Sequence, residues 1–146
     1  IRTILNFKPE GKGTNLSLPL EYLLNIQKQK ATVFLISDFQ DDGYEAKLKL
    51  AKQKHDLVAI SITDPREETL PDVGLIQLED AESGETLLVD THDNEMTTQY
   101  AKQFQQKRAK RKTYFSSIGI DTIEIHTNRS LTDPIIRYFK MREKKH

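Results

Sequence analysis

The sequence predicts an α/β fold in which a parallel β-sheet is covered by helices on both faces. The first observation is a short, uninterrupted apolar run, Val33 to Ile36, that stops at Ser37 and Asp38. The second is a similar run from Leu57 to Ile62, and the third is helical periodicity on either side of the two runs. Strands buried on both faces have this composition, and a helix between them favours a right-handed parallel crossover. We expect the first run to be a central strand with neighbours on both sides.

Length and charge set the next expectations. We expect residues 1–146 to form a single domain, because a chain of this length buries roughly two thirds of the surface that it exposes when unfolded. The chain has 22 basic and 22 acidic residues, so its net charge favours neither nucleic acid nor a membrane surface as a partner. The charges are nevertheless segregated. Residues 64–95 contain eleven acidic residues and one basic residue, whereas residues 102–112 contain six basic residues and no acidic residue.

Composition also bears on location. The chain has no cysteine, which agrees with a cytoplasmic protein and excludes thiolate chemistry. No apolar run approaches the roughly 18 residues of a membrane span, and the first residues lack the pattern of a signal peptide. We therefore expect a cytoplasmic protein that does not use a membrane as its partner.

The first part of the chain predicts a glycine-containing loop between two helical segments. Residues 1–7 have helical spacing without a cap, so we interpret them as the end of a helix. Lys8 to Thr14 is the loop, and Asn15 or Ser17 can cap the next helix. Thr14 thus lies at a helix N-terminus, where a phosphate or a metal can sit, although the spacing is not that of a P-loop. The apolar face of this helix consists of Leu16, Leu20, Leu23 and Leu24.

Two aspartates follow the predicted strands. Asp38 comes directly after the first apolar run, and Asp64 opens the turn that closes the second. Since the carboxyl ends of parallel strands meet at one sheet edge, both carboxylates can contribute to a site there. The alternative is structural, because aspartate also forms turns and caps helices. Between the strands, a helix that ends near His55 is predicted from the stripe Tyr44, Leu48 and Ala51.

The segment after the second strand predicts an inserted β-hairpin. Residues 75–78 and 86–89 are apolar runs that flank a polar tip. The next residues, Asp90 to Asp93, contain two carboxylates and one histidine, a composition similar to that of a metal site. Consecutive residues that leave a strand cannot all converge on one ion, so capping of the following helix is the preferred interpretation.

The longest predicted helix runs from Asn94 to Ser117, and Gly119 is placed to end it. Its basic stretch, Lys102 to Lys112, is compatible with nucleic-acid binding. A solvated helix that complements the acidic hairpin region explains the same charges without a ligand. The apolar face of the helix is predicted to consist of Met96, Tyr100, Phe104, Phe115 and Ile118.

The chain is predicted to continue with a strand and a final helix. Ile123 and Ile125 alternate with polar residues, which indicates a half-exposed strand near the sheet edge. Ser130 or Thr132 can cap the helix that follows. The inward face of this helix is predicted to be Leu131, Ile135, Ile136 and Phe139.

Several motifs, in their order along the chain, resemble one bacterial family. They are Gly-Lys-Gly-Thr-Asn-Leu at 11–16, Leu-Ile-Ser-Asp-Phe at 35–39, His-Asp at 55–56, Asp-Pro-Arg-Glu at 64–67, Leu-Pro-Asp-Val-Gly-Leu at 70–75 and Val-Asp-Thr at 89–91. The family is the one of unknown function numbered fifty-eight, whose members have a von Willebrand factor A-like domain and often accompany MoxR-type AAA+ ATPases. The resemblance implies a doubly wound, Rossmann-like α/β fold, of which this chain would be the carboxyl-terminal half.

The resemblance also implies a metal site. In von Willebrand factor A domains a divalent cation, usually magnesium, is held by an Asp-x-Ser-x-Ser loop, a threonine from a second loop and an aspartate from a third. Thr14 matches the threonine and Asp38 matches the aspartate, whereas no Asp-x-Ser-x-Ser occurs in the chain. Magnesium prefers six oxygen ligands and loses its water reluctantly. We therefore expect weak or no magnesium binding by this incomplete site, even if a longer protein binds the ion.

The function that the resemblance implies is recognition. A cation in such a site leaves a coordination position for an aspartate or glutamate of a partner protein. The sequence shows no paired nucleophile and base, and its four histidines are scattered. We therefore expect a non-enzymatic interaction module, an adaptor or partner of a MoxR-type AAA+ ATPase. The alternatives are a metal-dependent hydrolase that uses Asp38 and Asp64, and nucleic-acid binding through residues 102–112.

The predicted sheet is thin, which leads to a further expectation. The run Val33 to Ile36 has an obvious partner on one side only, the run Leu57 to Ile62. An unpaired strand edge exposes hydrogen-bonding groups and apolar surface, and it can pair with another copy of itself. We therefore expect a homo-oligomer, formed as a dimer or by a domain swap.

Overall fold

The computed structural model of the protein describes residues 14–79 and 86–144. The predicted helical end at residues 1–7, most of the glycine-containing loop and the tip of the predicted hairpin lie outside them. The helices are α1 (Ser17–Ile26), α2 (Glu45–Lys54), α3 (Pro65–Glu68), α4 (Asn94–Ser117) and α5 (Thr132–Glu143). The strands are β1 (Thr32–Ser37), β2 (Asp56–Thr63), β3 (Leu75–Glu79), β4 (Thr86–Asp90) and β5 (Asp121–His126). In this part of the chain, no helix combines the length and the apolar character that a bilayer crossing requires.

Strands β1, β2 and β5 form a parallel sheet in the order β1-β2-β5. The mixed α/β architecture and the parallel pairing of the two apolar runs are therefore confirmed. Among the described strands β5 lies at an edge of the sheet, as predicted, and β2 is the central and most buried strand. Strands β3 and β4 pair antiparallel as a separate two-stranded sheet, which confirms the inserted hairpin.

The expectation that β1 is a central strand is wrong for the residues that the structure describes. Within them β1 pairs with β2 alone, and alternate side chains of β1 remain open to solvent: Phe34 is 41% exposed and Ile36 is 60% exposed. The outer part of β1 is exposed because helix α5 packs mainly over β2 and β5. Phe139 of α5 meets Phe34 of β1, with 6.1 Å between the ring centroids, but both side chains remain partly exposed.

Helices cover both faces of the sheet, as predicted. Alternate residues of β2 point to opposite faces, so Leu57 joins one core and Val58 joins the other. The larger core lies between the sheet and helices α1, α2 and α4. Its buried side chains are Leu16, Leu20, Phe39, Tyr44, Leu48, Ala51, Leu57, Ala59, Phe115 and Ile120. The stripes predicted for α1 and α2 are therefore confirmed.

The predicted helix ends agree with the structure. The Oδ1 atom of Asn15 accepts hydrogen bonds from the first backbone N–H groups of α1, and the Oδ1 atom of Asp93 does the same for α4. The Oγ atom of Ser130 accepts from the backbone N–H of Asp133 at the start of α5. Gly119 follows α4 with φ +73°, a left-handed conformation that favours glycine at a helix end. These caps fix where α1 and α4 approach the sheet edge.

The predicted inward face of α5 is confirmed only at Ile135, which is partly buried against β2 and β5. Leu131, Ile136 and Phe139 are 55%, 49% and 45% exposed. The side chain that α5 buries is Tyr138, which was not predicted, and its hydroxyl donates to a carboxylate oxygen of Asp121 at 3.2 Å. A tyrosine fits this position because its ring fills the apolar layer while its hydroxyl reaches a polar partner.

Candidate functional site

The candidate site lies at the carboxyl edge of the parallel sheet. Because β1, β2 and β5 run in the same direction, the loops that follow them emerge at one edge. Asp38 follows β1, Asp64 follows β2, and His126 is the last residue of β5. Helix α4 crosses near this edge and supplies the arginines that contact all three strand ends.

The loop between β1 and α2 makes a tight, locally bonded turn at Asp38. The Oγ atom of Ser37 accepts a hydrogen bond from the backbone N–H of Phe39 at 3.0 Å. The Oδ1 atom of Asp38 accepts from the backbone N–H of Gln40 at 3.1 Å and from the Ser37 hydroxyl at 3.3 Å. Phe39 has φ 57°, a left-handed conformation that non-glycine residues rarely adopt. The residue next to the predicted site aspartate is therefore held in a strained backbone conformation.

Arg111 of α4 binds this turn from the other side. Its Nη1 atom donates to the backbone oxygens of Asp38 at 2.9 Å and Phe39 at 3.1 Å, and its Nη2 atom donates to the Ser61 hydroxyl on β2 at 3.1 Å. Its guanidinium carbon lies 5.5 Å from the centroid of the Phe39 ring. Burial lowers the pKa of Arg111, and the neighbouring Tyr44 opposes that effect. Burial raises the pKa of Tyr44 to about 12, so its hydroxyl stays protonated at neutral pH.

The N-terminus of α1, which Thr14 precedes, lies against the same loop. The backbone N–H of Leu16 donates to the Oδ2 atom of Asp41 at 2.6 Å, and the Ser17 hydroxyl donates to the backbone oxygen of Gly43 at 3.5 Å. The structure thus brings the segment after Thr14 to the loop after Asp38, while Thr14 itself is exposed.

The described residues do not by themselves fit a magnesium ion. Asp38 uses Oδ1 for bonds within its own turn, and Thr14 would add one hydroxyl. Across residues 14–79 and 86–144, no group of three or more histidine, aspartate and glutamate side chains is placed to hold a metal. Because magnesium requires near-octahedral oxygen coordination, Thr14 and Asp38 alone form an incomplete set of ligands.

Asp64 caps a helix, which is the structural alternative that the sequence analysis gave for it. Its Oδ1 atom accepts from the backbone N–H of Arg66 at 2.9 Å and caps α3. Nearby, Glu67 was not predicted as a site residue. Burial raises the pKa of Glu67, and the negative charges of Asp38 and Asp64 raise it further, against hydrogen bonds from the backbone of Asp64 and the side chain of Gln40. The charges of Asp38 and Asp64 therefore lie close enough to Glu67 to disfavour its ionised form.

A second group of carboxylates at this edge is neutralised by Arg108 of α4. Its Nη1 atom donates to Glu68 at 2.8 Å, and its Nη2 atom donates to Glu124 at 2.6 Å. Burial alone would raise the pKa of Glu124, but the hydrogen bond and charge of Arg108 lower it, with smaller contributions from Lys112 and His126. The ring of His126 lies beside this network, with Nε2 3.4 Å from Arg108 Nη2.

These contacts refine the interpretation of the basic helix. We expected its charges to complement the acidic hairpin region, but the described partners of Arg108 and Arg111 are Glu68, Glu124 and the β1–α2 loop. The acidic tip of the hairpin lies outside the described residues, so its part in this prediction stays untested. The sequence did not indicate the partners that the structure describes, because they lie 16 to 73 residues away in the chain.

A cleft of about 720 Å³ separates the β1–α2 loop from α4, and we call it the α4 cleft. Its α4 wall includes two lysines, Lys107 and Lys110, and its loop wall includes three acidic residues. Tyr114 bridges the walls by donating from its hydroxyl to the backbone oxygen of Glu45 at 2.9 Å. The lining residues are Phe39, Gln40, Asp41, Asp42, Tyr44, Glu45, Tyr100, Gln103, Phe104, Lys107, Arg108, Lys110, Arg111 and Tyr114. Tyr100 and Phe104, predicted as core residues of the helix, therefore line an open cleft.

The remaining metal-like segment, Asp90 to Asp93, is structural. Asp93 caps α4, and the Oδ1 atom of Asp90 accepts from the backbone N–H of His92 at 3.0 Å. The His92 ring lies on the surface, with its Nε2 atom 3.3 Å from Asp72. The preference for helix capping over metal binding is therefore supported at Asp93.

Sequence comparison finds relatives of the chain. The family profile described as "Protein of unknown function DUF58" matches residues 1–110. The Uncharacterized protein MAV169 of Mycobacterium avium is 28% identical over 137 residues, which cover 93% of this chain and 80% of that protein. The Uncharacterized proteins Mb1516 of Mycobacterium bovis and Rv1480 of Mycobacterium tuberculosis are each 26% identical over 147 residues, which cover 99% of this chain and 46% of each relative. The chain thus spans less than half the length of the latter two. No solved structure matches it.

Proposed function

The chain belongs to the family described as Protein of unknown function DUF58, and from that premise we propose that it is a non-enzymatic protein-interaction module. The proposed binding surface is the carboxyl edge of the parallel sheet together with the α4 cleft. The observation that carries the proposal is the lining of this cleft, in which aromatic side chains lie between a lysine-bearing wall and an acidic wall. Aromatic side chains with polar groups around them are typical of protein-binding surfaces.

The dimensions of the α4 cleft support a peptide segment as the occupant. The lining residues of α4 extend from Tyr100 to Tyr114, a helical distance of roughly 21 Å. An extended chain covers that distance with about six residues. The segment would bury an apolar side chain against the aromatic rings and direct acidic groups toward Lys107 and Lys110.

The same lining favours a peptide over a nucleic acid. A nucleic acid brings a dense row of phosphates, which the two lysines attract. The opposite wall carries Asp41, Asp42 and Glu45, whose charges repel phosphates. A peptide can present both signs of charge, so it suits both walls.

Our proposal includes three finer assignments. They are a von Willebrand factor A-like domain, a MoxR-type AAA+ ATPase as the partner, and a cytoplasmic location. The parallel order β1-β2-β5 and the motifs at Thr14 and Asp38 support the first. The partner and the location are supported only by the resemblance of the sequence. Because Thr14 and Asp38 form an incomplete set of ligands, no step of the proposed recognition depends on a metal.

A binding measurement tests the proposal. We would measure the affinity of the purified chain for a purified MoxR-type AAA+ ATPase of the same organism by calorimetry, with magnesium and with a chelator. Phe104→Ala removes an aromatic side chain from the cleft and should weaken binding about tenfold or more. Gln106→Ala is the matched control, since Gln106 is exposed on α4 outside the cleft lining, and it should not change the affinity.

Two results would contradict the proposal. Equal loss of affinity in both variants would show that the α4 cleft is not the binding surface. Absence of binding by the unmodified chain would remove the proposed ATPase as the partner. Binding that persists in the chelator is expected, because the described residues do not complete a metal site.

We also propose self-association through β1. In the described residues its outer edge is unpaired, and the strand has no charged residue to discourage pairing with a second copy. Ile36→Lys places a charge on this strand and should increase the monomer fraction measured by light scattering. Leu50→Lys, at a similarly exposed position on α2, is the control and should leave the distribution unchanged. A monodisperse monomer in the unmodified protein would contradict the proposal.

A further inference from the structure

We infer that Arg111 is a positioning residue of the proposed recognition surface. Its guanidinium holds the backbone of Asp38 and Phe39 and thereby fixes the loop wall of the α4 cleft. The inference deepens the proposed function and rests on it in one respect: the loop that Arg111 holds is taken to be part of the binding surface.

The geometry of the three hydrogen bonds carries the inference. Two acceptors are consecutive backbone oxygens after β1, and the third is the Ser61 hydroxyl on β2, which is 4% exposed. A single planar guanidinium reaches all three because its N–H groups form a rigid fork. A lysine ammonium is a compact group at the end of a flexible chain and cannot reproduce that arrangement. Arg111 therefore ties the β1–α2 loop to β2.

The turn at Asp38 and Phe39 needs hydrogen bonds from outside the loop. Phe39 adopts φ 57°, which costs free energy for any residue except glycine. Its side chain is nevertheless required inside, because it is buried and packs edge-on against Phe115 at 5.1 Å. The packing excludes glycine at this position, so the left-handed backbone has to be held by other bonds. Arg111 provides such bonds. It donates to the backbone oxygens of Asp38 and Phe39, the two carbonyl groups that flank the nitrogen and α-carbon of Phe39.

Arg108 provides a contrast on the same helix. It lies three residues earlier and makes its charged bonds to the side chains of Glu68 and Glu124. Arg111 instead donates to backbone oxygens of the loop that lines the α4 cleft. The two arginines therefore stabilise different structures, and removing either one should have a different local effect.

Hydrogen exchange measured by NMR on the unliganded protein tests the inference. The amides of Phe39 and Gln40 report on the turn, and the amides of Val58 and Ile60 on β2 report on global opening. In Arg111→Ala the turn amides should exchange about tenfold faster or more, since hydrogen bonds to a charged group are lost, and the β2 amides should accelerate by up to the same factor, since the same bonds are absent from the unfolded state. Arg111→Lys should behave similarly. Arg108→Ala is the matched control: its bonds to Glu68 and Glu124 are not part of the turn, so it should accelerate the β2 amides and leave the turn amides unchanged.

Ser61→Ala keeps the test decisive if the arginine variants fold poorly. It removes one acceptor and no charge, so it should accelerate the turn amides by a smaller factor. Unchanged turn amides in every Arg111 variant, or the same acceleration of the turn amides in Arg108→Ala as in Arg111→Ala, would overturn the inference. Because no partner is present, this result is independent of the binding measurement: failure to bind the ATPase would count against the proposed function and leave the exchange result standing.

Discussion

Two groups of carboxylates occupy the same edge of the sheet and differ in how their charge is balanced. The paired carboxylates, Glu68 and Glu124, share the guanidinium of Arg108. The repelling carboxylates, Asp38, Asp64 and Glu67, have no Lys or Arg side chain within ion-pair distance in the described part of the chain. Arg108 lowers the pKa of Glu124 in spite of its burial, whereas the pKa of Glu67 is raised by burial first and by the charges of Asp38 and Asp64 second.

The difference shows that acidic residues at a sheet edge have more than one role. The paired carboxylates are a structural connection between α3, α4 and β5, and they gain little from another positive charge. The repelling carboxylates cost stability when all of them are ionised, and any positive group brought to them lowers that cost. A partner that presents a basic side chain at this edge would therefore be favoured near Asp38 rather than near Glu124.

The largest expected effect comes from removing the shared arginine. Arg108→Ala leaves Glu68 and Glu124 half-buried without their common partner, and we expect the free energy of unfolding to fall by about 2 kcal/mol. Denaturant unfolding at pH 7 measures it. Lys112→Ala is the control: the Lys112 side chain is 69% exposed and its Nζ atom lies 3.7 Å from Glu124, so its loss should change stability by less than about 0.5 kcal/mol. Equal effects of the two variants would mean that Arg108 is not the central cation.

The next effect depends on pH. Glu124→Gln keeps the shape and removes the charge, and it should cost about 1 kcal/mol at pH 7. Since the folded pKa of Glu124 is lowered, the stability from its charge is fully present above the ordinary glutamate pKa of 4.5 and is lost as pH falls through the folded value. The unfolding curves of the variant and the unmodified protein should therefore converge in acid. A difference that persists unchanged at low pH would contradict the assignment.

The sequence predicted much of the fold because the signals were local. Apolar runs marked β1 and β2, periodic leucines marked α1, and the bounds of α4 from Asn94 to Ser117 agree with the structure. The neighbours of β1 were not predictable, because an apolar run shows that a strand is suited to burial and says nothing about what covers it. Tyr138 was missed for a related reason, since its burial depends on a hydroxyl partner, Asp121, in another element.

The site was predicted less well than the fold. Asp38 and Asp64 were placed at one edge by the rule for parallel strands, and the structure brings both near Glu67. The acceptors of Arg111 were not predictable, since two are backbone oxygens more than 70 residues away and the third is the Ser61 hydroxyl, 50 residues away. The one available signal was the basic residues at 108 and 111, which lie on one side of a helix at a spacing of three residues.

A smaller change in the free energy of unfolding, a gain rather than a loss, is expected when a charge is removed from the repelling carboxylates. Glu67→Gln removes one of three like charges, so it should raise the free energy of unfolding at pH 7 by less than about 1 kcal/mol. The raised folded pKa of Glu67 penalises the folded state only where the side chain is ionised. The gain should therefore be present at neutral pH and vanish below the ordinary pKa of 4.5. Thermal unfolding at pH 7 and pH 4 separates the two cases, and a loss of stability at pH 7 would contradict the repulsion.

The smallest expected change in stability comes from removing the charge of Asp64, one of the repelling carboxylates. Asp64→Asn retains a side chain that caps α3, because asparagine accepts the same backbone hydrogen bond as aspartate. Stability should change by only a few tenths of a kcal/mol, while the pKa of Glu67 should move down toward its ordinary value. An NMR titration of the Glu67 carboxyl carbon measures this directly. Asp72→Asn is the control: the Asp72 side chain is 82% exposed and does not contribute to the raised pKa of Glu67, so the titration should be unaffected. If Asp64→Asn also leaves the titration unaffected, the charge of Asp64 does not raise the pKa of Glu67, and the contrast between the repelling and the paired carboxylates rests on burial and on Asp38.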